Sequence, residues 1–374
     1  MKLRGRARLG IATILTLTIV AATPGTVAAG ENHHHRDKHQ LTVMTQNLYL
    51  GSSLNQAIAA SSTSEFVAAV AQIYGTAVIT NFPKRAEAIA DIIEAEEPDV
   101  IGLQEVSRWM AHPLVSGAQP PSYDFLAILS TELAARGLDY RVEAVSENAN
   151  VGPVPLVAPS FGCATGGPPP SCVVTLQDRD VILVNNDTHG LHMRGSLTGH
   201  YAAQEVLQLP TGASASFARG WAYVNGTFRG KKFRFVTTHL EVERYAATQE
   251  AQAHEFLTGP ARTGGTVIAT GDFNSAADPG EDSTRTYANL TAERFKDIWQ
   301  QVNPDDPGPT CCQSSTLTNT SSQLRTRIDL VLTHGPVRGK AAMVVGATPI
   351  PALTPPFWAS DHAGVIATLR LHGR

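Results

Sequence analysis

The strongest constraint on the fold is a recurring pattern of short, near-apolar runs that each end in a carboxamide, a carboxylate or an imidazole. The endings are Gln46-Asn47, Gln104-Glu105, Thr238-His239, Gly271-Asp272-Phe273-Asn274, Arg327-Ile328-Asp329 and Ser360-Asp361-His362. Apolar runs of roughly 4–8 residues bounded by turn residues read as strands buried on both faces. Such strands must pair with neighbours to satisfy their backbone groups. Laid side by side, they bring their polar ends to one rim.

The runs read as strands are Leu41 to Leu50, Asp99 to Val106, Tyr140 to Val145, Val181 to Asn185, Ala218 to Val224, Lys232 to His239, Thr266 to Asp272, Arg327 to Leu332, Ala341 to Ala347 and Gly364 to Leu371. Asn225-Gly226 and Arg229-Gly230 read as turns. Helical spacing of Ala86, Ile89, Ala90 and Ile93 marks a helix from Pro83 to Glu96, opened by a proline and stopped before Pro98. Further helices are expected at Phe125 to Arg136, Tyr245 to Leu257 and Phe295 to Val302, and Glu147 to Ser171 reads as a long surface loop. Many strands in mixed order with a few helices argue for an α/β sandwich on stacked sheets. Gln56 to Thr80 is either a helical lid or a packed extra helix.

Residues 1–29 have the layout of an export signal. Lys2, Arg4, Arg6 and Arg8 precede an apolar stretch from Ile11 to Ala22, and Val27-Ala28-Ala29 offers small residues for cleavage. That stretch is short of the roughly 20 residues that span a bilayer, so a secreted, extracellular protein without stable membrane insertion is expected. Residues 30–39 read as a polar, disordered leader, whose His33, His34 and His35 are more simply a solvated run than a metal site. The catalytic unit expected is a single domain over 40–374, because no motif makes a site alone. Excluding the four basic residues ahead of residue 30, 25 basic side chains face 33 acidic ones, a net charge of −8 with histidine neutral. Such a chain does not grip polyanions by bulk charge. The four cysteines favour disulfides in an exported protein. Pairing Cys163 with Cys172 would close a Gly/Pro-rich loop, and Cys311 with Cys312 would be a vicinal bridge unless each pairs elsewhere; sequence leaves three connectivities open.

An oxygen-rich rim of this kind suits phosphate ester cleavage. A hard cation neutralises the phosphate while a positioned acid or base aligns water. Without Cys-x-x-Cys or H-E-x-x-H, the expected ion is Mg2+, with Mn2+ or Ca2+ as alternatives, rather than structural zinc. Each polar strand end is weak evidence alone, since a carboxylate there is more often a turn or helix cap.

Taken in order, the blocks L-Q-E-V, G-D-F-N-S, R-I-D-L-V-L and S-D-H-A-G-V resemble the endonuclease/exonuclease/phosphatase superfamily over roughly residues 40 to 372. That superfamily includes pancreatic-type deoxyribonucleases, apurinic-site endonucleases, bacterial sphingomyelinases and inositol polyphosphate phosphatases. The resemblance implies a four-layer α/β/β/α sandwich with two stacked mixed β-sheets. It also implies metal ligation by Glu105 and Asp361 with Asn47 at the metal's edge, and water and phosphate contacts from Asp272 and Asn274. His362 resembles the histidine facing the phosphate, with Asp329 fixing its tautomer, and His239 resembles the one that contacts the phosphate or protonates the leaving group.

The substrates implied are nucleic-acid phosphodiesters, as for an extracellular nuclease, or phospholipid headgroups and small phosphoesters. A binding protein that kept the fold and lost catalysis would show a gap in the polar set, and none is vacant. His189 and His192 either border the rim, because they follow the Val181 to Asn186 run, or are simply exposed, the usual fate of loop histidines, and Phe357 and Trp358 either stack on substrate or pack beneath the loop.

Overall fold

The computed structural model describes residues 39–373, apart from 165, 211, 213, 279–282, 352 and 354. The export signal, its cleavage point and the leader histidines lie outside the described residues.

Every residue of the strand Leu41–Asn47 is buried, and its two faces go to different places. Leu41 and Val43 join one apolar cluster and Met44 another, as the alternation of side chains along a strand requires. The strand pairs in parallel with Val100–Gln104 and antiparallel with Gly364–Leu371. These belong to an eight-stranded mixed sheet that runs from Val337–Val345 at one edge, through Gly364–Leu371, Leu41–Asn47, Val100–Gln104 and Cys172–Asn185, to Arg108–Pro113 and Tyr123–Asp124; Tyr140–Pro155 also pairs with Cys172–Asn185. The second sheet has six strands in the order Lys296–Asp297, Asp329–His334, Thr266–Asp272, Lys231–His239, Gly220–Phe228 and Leu191–His200, with one parallel pair between Lys231–His239 and Thr266–Asp272.

Three apolar clusters alternate with these sheets. One draws on both, setting Val43, Val100, Ile182 and Val365 against Val224, Phe235, Ile268 and Val331. A second joins Met44, Leu103 and Leu183 to the helices Thr63–Ile79, Phe82–Glu96 and Phe125–Ala135. A third joins Val236, Ala269 and Leu332 to Phe256 of Ala246–Thr258 and Leu290 of Thr286–Ala292. The order is therefore helices, sheet, sheet, helices, as expected. No single helix among the described residues is long and apolar enough to cross a bilayer; the bent pair Thr63–Ile79 and Phe82–Glu96 passes only when joined, and both bury residues in the core.

Several expectations are corrected. The strand read as Val181 to Asn185 extends back to Cys172, and Tyr140 to Val145 runs on to Pro155 through register shifts at Glu147/Asn150 and Val151/Val154. Bulges accommodate Gly152-Pro153 inside a paired segment, so that dipeptide does not mark the loop it suggests. Asn225-Gly226 lies within Gly220–Phe228 at another register shift, and the turn is at Arg229-Gly230. Arg108–Pro113 and Leu191–His200 are strands that went unread. Phe295 to Val302 is split into the short strand Lys296–Asp297 and the helix Ile298–Val302.

Cys163 and Cys172 are paired with an S–S distance of 2.02 Å, and both are fully buried, so the bridge anchors the loop in the core rather than at the surface. Cys311 is paired with Cys312. Trp358 is buried against Tyr49 and Leu317, with Phe357 packed on that group; packing is the fate of these aromatics. His189 and His192 are exposed. They follow Asn185, which bonds to Asp99 at the start of Val100–Gln104, the end opposite Glu105.

Asp124 ties this architecture to the loop after Glu105. It caps Phe125–Ala135 by accepting from the amides of Leu126 and Ala127 at 3.1 and 3.4 Å, and it accepts from Arg179 at 2.5 Å and Arg108 at 3.0 Å. Burial opposes its charge, but the two guanidiniums hold its carboxyl below the ordinary value of 3.8. Asp124→Ala should cost about 2–4 kcal/mol in a denaturant melt, because it removes a cap and strands the buried Arg179. The contribution is present above the ordinary carboxylate pKa and is lost as pH falls through the depressed folded value, so the gap between wild type and variant should narrow in acid. A variant with an unchanged midpoint at neutral pH would contradict the tie.

Candidate active site

The face between the sheets changes character along the strands. In Leu41–Asn47 it runs Leu41, Val43, Thr45, Asn47; in Lys231–His239 it runs Phe233, Phe235, Thr237, His239; in Thr266–Asp272 it runs Ile268, Thr270, Asp272. Hydroxyls thus form a layer between the apolar cluster and the ionisable end. Gln104 crosses it, donating to Thr237 Oγ1 at 2.8 Å and accepting from Thr45 Oγ1 at 3.2 Å. Gly102 sits in the same layer, where an added Cβ would lie 2.5 Å from Thr270 Oγ1 and 2.6 Å from Thr237 Oγ1. The sheets approach too closely there for any side chain.

At the polar end, strand register aligns the ionisable groups. His239 is beside Asp272 in the parallel pair, and Asp272 is opposite Asp329 in the antiparallel pair. Gly271 permits this, since a Cβ would fall 2.1 Å from the Thr238 carbonyl oxygen. Asn47 donates to Asp272 Oδ2 at 3.1 Å across the sheets, and its own Oδ1 accepts from the Tyr49 amide at 2.8 Å. Glu105 follows its strand at φ 52° and accepts from the Leu50 amide at 2.6 Å. Asn274 has φ 48°, and its amide donates to Asp272 Oδ1 at 2.9 Å. Positive φ at two residues that are not glycine is a costly conformation, and such strain gathers at functional sites.

Two imidazoles flank Asp272. His362 Nε2 is 3.8 Å and His239 Nε2 3.5 Å from Asp272 Oδ2. Their surroundings differ. Burial opposes the charge of His362, but Asp329 at 2.8 Å from Nδ1, with Asp272 and Asp361, holds it well above the usual histidine value. Burial, Arg219 and His362 push His239 well below that value. Asn274 Nδ2 donates to His239 Nε2 at 3.1 Å, and Arg219 Nη1 lies 3.1 Å from both ring nitrogens. Burial lifts the Asp272 carboxyl to about 7, with Asp329 and Glu105 adding to the effect of burial and His362 and the Asn274 amide opposing it. Asp361 is likewise pushed to about 7, by burial first and then Glu105 and Asp272, against His362 and Arg85. Histidines held at opposite protonation beside a carboxyl that titrates near neutrality form an acid/base set.

All eight residues singled out from the sequence border or adjoin one hollow of about 450 Å3. Glu105, His239, Asp272, Asn274, Asp361 and His362 line it, and Asn47 and Asp329 hold Asp272 and His362 from behind. Sequence reading missed several others. Asp178 and Asp180 project from Cys172–Asn185 into the same inter-sheet layer, and burial raises both carboxyls, Asp178 to about 7. An Asp-Arg-Asp alternation before Val181-Ile182-Leu183-Val184 was the signal, hidden because the strand was read from Val181. Arg219 bonds to Glu241 at 3.2 Å; burial works against its charge, but Glu241, Asp178 and Glu105 together raise its pKa. Arg85 is wholly buried and donates to the carbonyls of Leu48, Tyr49, Thr80 and Ala359, clamping the segments after Asn47 and before Asp361.

The donor set fits a hard divalent cation. Glu241 and Asp361, which line the hollow with Glu105 and Asp272, each keep a buried carboxylate oxygen without a hydrogen-bond partner, and such oxygen donors suit a hard cation. Asp272, Asp329 and His362 come within 4.8 Å of one another, as do Cys311, Cys312 and His362. His362 Nδ1 is engaged with Asp329, however, and the two sulfurs are engaged with each other.

In chelator-treated protein, Asp329→Asn should bring the His362 imidazole pKa down toward the ordinary histidine range in an NMR titration. The raised pKa makes the pair stabilising below the unfolded histidine value, a contribution lost as pH rises through the folded value. An imidazole that titrates unchanged in the variant would remove the ion pair from the account.

A sequence model of the Endonuclease/Exonuclease/phosphatase family matches residues 44–362. Among solved structures, a family protein of that description from Bacteroides thetaiotaomicron superimposes with a TM-score of 0.55 at 16% identity, covering 90% of this chain and 98% of the other. A mannosyl-6-phosphatase from Bacteroides thetaiotaomicron gives 0.53 at 17% identity, covering 88% and 99%. Truncated TDP2 from Caenorhabditis elegans gives 0.50 at 17% identity, covering 88% and 97%. At these identities the likeness is one of fold. No curated protein sequence matches the chain.

Proposed function

The chain belongs to the Endonuclease/Exonuclease/phosphatase family, and from that premise we propose that it is a secreted hydrolase of phosphodiester bonds that depends on a divalent metal ion. The observation that carries this reading is geometric: Asp272 Oδ2 lies 3.5 Å from His239 Nε2 and 3.8 Å from His362 Nε2, in one hollow with Glu105 and Asp361. Glu105 and Asp361, with Asn47 at the edge, would hold the ion. Magnesium fits this oxygen-rich set, with manganese or calcium as alternatives. An ion held there would supply neutralisation of the phosphate charge and of the leaving oxygen.

The protein's own groups supply the remainder. Asp272 accepts a proton from the attacking water, and the Asn274 amide, 2.9 Å from its Oδ1, fixes the carboxylate's aim. His362, kept charged by Asp329, faces the phosphate as an electrostatic clamp and a proton donor. His239 is kept neutral by burial and by Arg219 and contributes a hydrogen bond to a phosphate oxygen or the leaving group. Export is supported by the layout of residues 1–29 and by the Cys163–Cys172 disulfide, a bond typical of oxidising compartments. For a nucleic-acid substrate, exposed Arg244 and Arg325 at the hollow's lining would meet backbone phosphates.

Bis(4-nitrophenyl) phosphate with magnesium tests the reaction class. His362→Ala should lower kcat by about 10²–10⁴-fold, and Glu105→Ala or chelation should do the same by removing the ion's hold. Full activity after either substitution or after chelation would overturn the reading.

A further inference from the structure

The catalytic hollow adjoins a second, smaller one. Leu54, Ile58, Leu207 and Phe217 line both and are each only half-buried, so they form the apolar boundary between the two. Beyond it lies a slot of about 60 Å3 formed between the helices Asn55–Ile58 and Thr63–Ile79, the strands of the larger sheet, and the separate hairpin of Glu205–Gln208 and Ser214–Phe217.

Every lining residue among those described is apolar. Trp109 Nε1, the one polar side-chain atom among these lining residues, already donates to the Leu50 carbonyl at 2.7 Å. A slot without donors or acceptors cannot read a sugar or a base edge, and bringing a charged backbone into it would leave phosphates unsolvated. Beside it, the catalytic hollow has the opposite character, crowded with carboxylates and imidazoles. A ligand that fills both must be polar at the reacting end and hydrocarbon at the other. The small volume of the slot and its walls of Val70, Ile73, Val154 and Leu176 suit a short hydrocarbon segment.

We propose that this slot takes the hydrocarbon tail of an amphiphilic phosphodiester, whose head is cleaved among Glu105, Asp272 and His362. The inference rests on the phosphoesterase reading and narrows its substrate class to alkyl- or acyl-chain phosphoesters. Burial of the tail strengthens binding without touching the reacting atoms, so its effect belongs in KM.

Two arms test it separately from the reaction class. In the first, calorimetry with magnesium present compares methylphosphonate with octylphosphonate below its micelle concentration. The longer ligand should bind at least about tenfold tighter, since each fully buried methylene is worth about fourfold. Ala57→Trp and, independently, Val70→Trp should each abolish that difference, with melting curves confirming that at least one variant is folded. Equal affinities in the wild type, or a difference that survives in a folded variant, overturn the slot. In the second arm, 4-nitrophenyl alkyl phosphates from methyl to octyl are turned over: KM should fall with chain length and then level off, and in Ala57→Trp it should stay at the methyl value with kcat unchanged. A chain-length series that is flat in the wild type overturns the slot and favours nucleic-acid or other tail-free diesters. Loss of turnover for every ester alongside intact octylphosphonate binding would overturn the phosphoesterase reading and leave the slot standing.

Discussion

The close approach of the two sheets at Gly102 is the constraint on which the rest depends. With no Cβ there, Thr237 and Thr270 come in from the opposite sheet, and Gln104 bridges Thr45 to Thr237. This hydroxyl layer divides an apolar cluster from a polar one on the same continuous face. It lets the strand ends carry buried ionisable groups without exposing the hydrophobic cluster behind them. The ionisable groups at the strand ends are then held by strand register, which is stiffer than any loop.

Placing so many carboxylates together opposes folding, because each loses hydration and repels its neighbours. The structure offsets this in three ways. Arg219 neutralises the side nearest Glu241, Asp178 and Glu105. His362 carries charge between Asp272, Asp329 and Asp361. Asp272, Asp178 and Asp361 are pushed to about 7, so near neutrality a part of the negative charge is removed by protonation. The unpartnered oxygens of Glu241 and Asp361, which line the hollow, are the part a divalent cation would satisfy. Arg85 works from the rear, since its guanidinium holds four backbone carbonyls of segments that would otherwise be free to separate.

Much of this was legible because buried strands write a clear signature. Asn47, Glu105, His239, Asp272, Asn274, Asp329, Asp361 and His362 all fall at one end of the sheet interface, as their positions at the ends of apolar runs suggested. The family resemblance read from those blocks is met by the family match over residues 44–362. What escaped had a physical reason. Asp178 and Asp180 stand in the middle of a strand rather than at its end, and their partners Asn148 and Arg219 come from distant segments. Arg85 reads as a surface residue of an amphipathic helix, and its burial is accounted for by its carbonyl partners together with the rings of Tyr49, Phe82 and Phe125 around its guanidinium. Gly152-Pro153 and Asn225-Gly226 read as loop and turn signals because single-sequence patterns do not distinguish a turn from a bulge.

The fold is shared with proteins as different as a mannosyl-6-phosphatase and TDP2, which is expected when the reacting groups sit on the sheets and selectivity sits in the surrounding segments. In this chain those segments include the helices after Asn47 and the hairpin near Phe217, whose apolar walls adjoin the ionisable hollow. The central claim is that water attacks phosphorus within that hollow. Hydrolysis of a phosphodiester in ¹⁸O-labelled water with magnesium tests it most directly: the account predicts the label on the phosphate product and none on the released alcohol, whereas label on the alcohol, or unlabelled products, would contradict it.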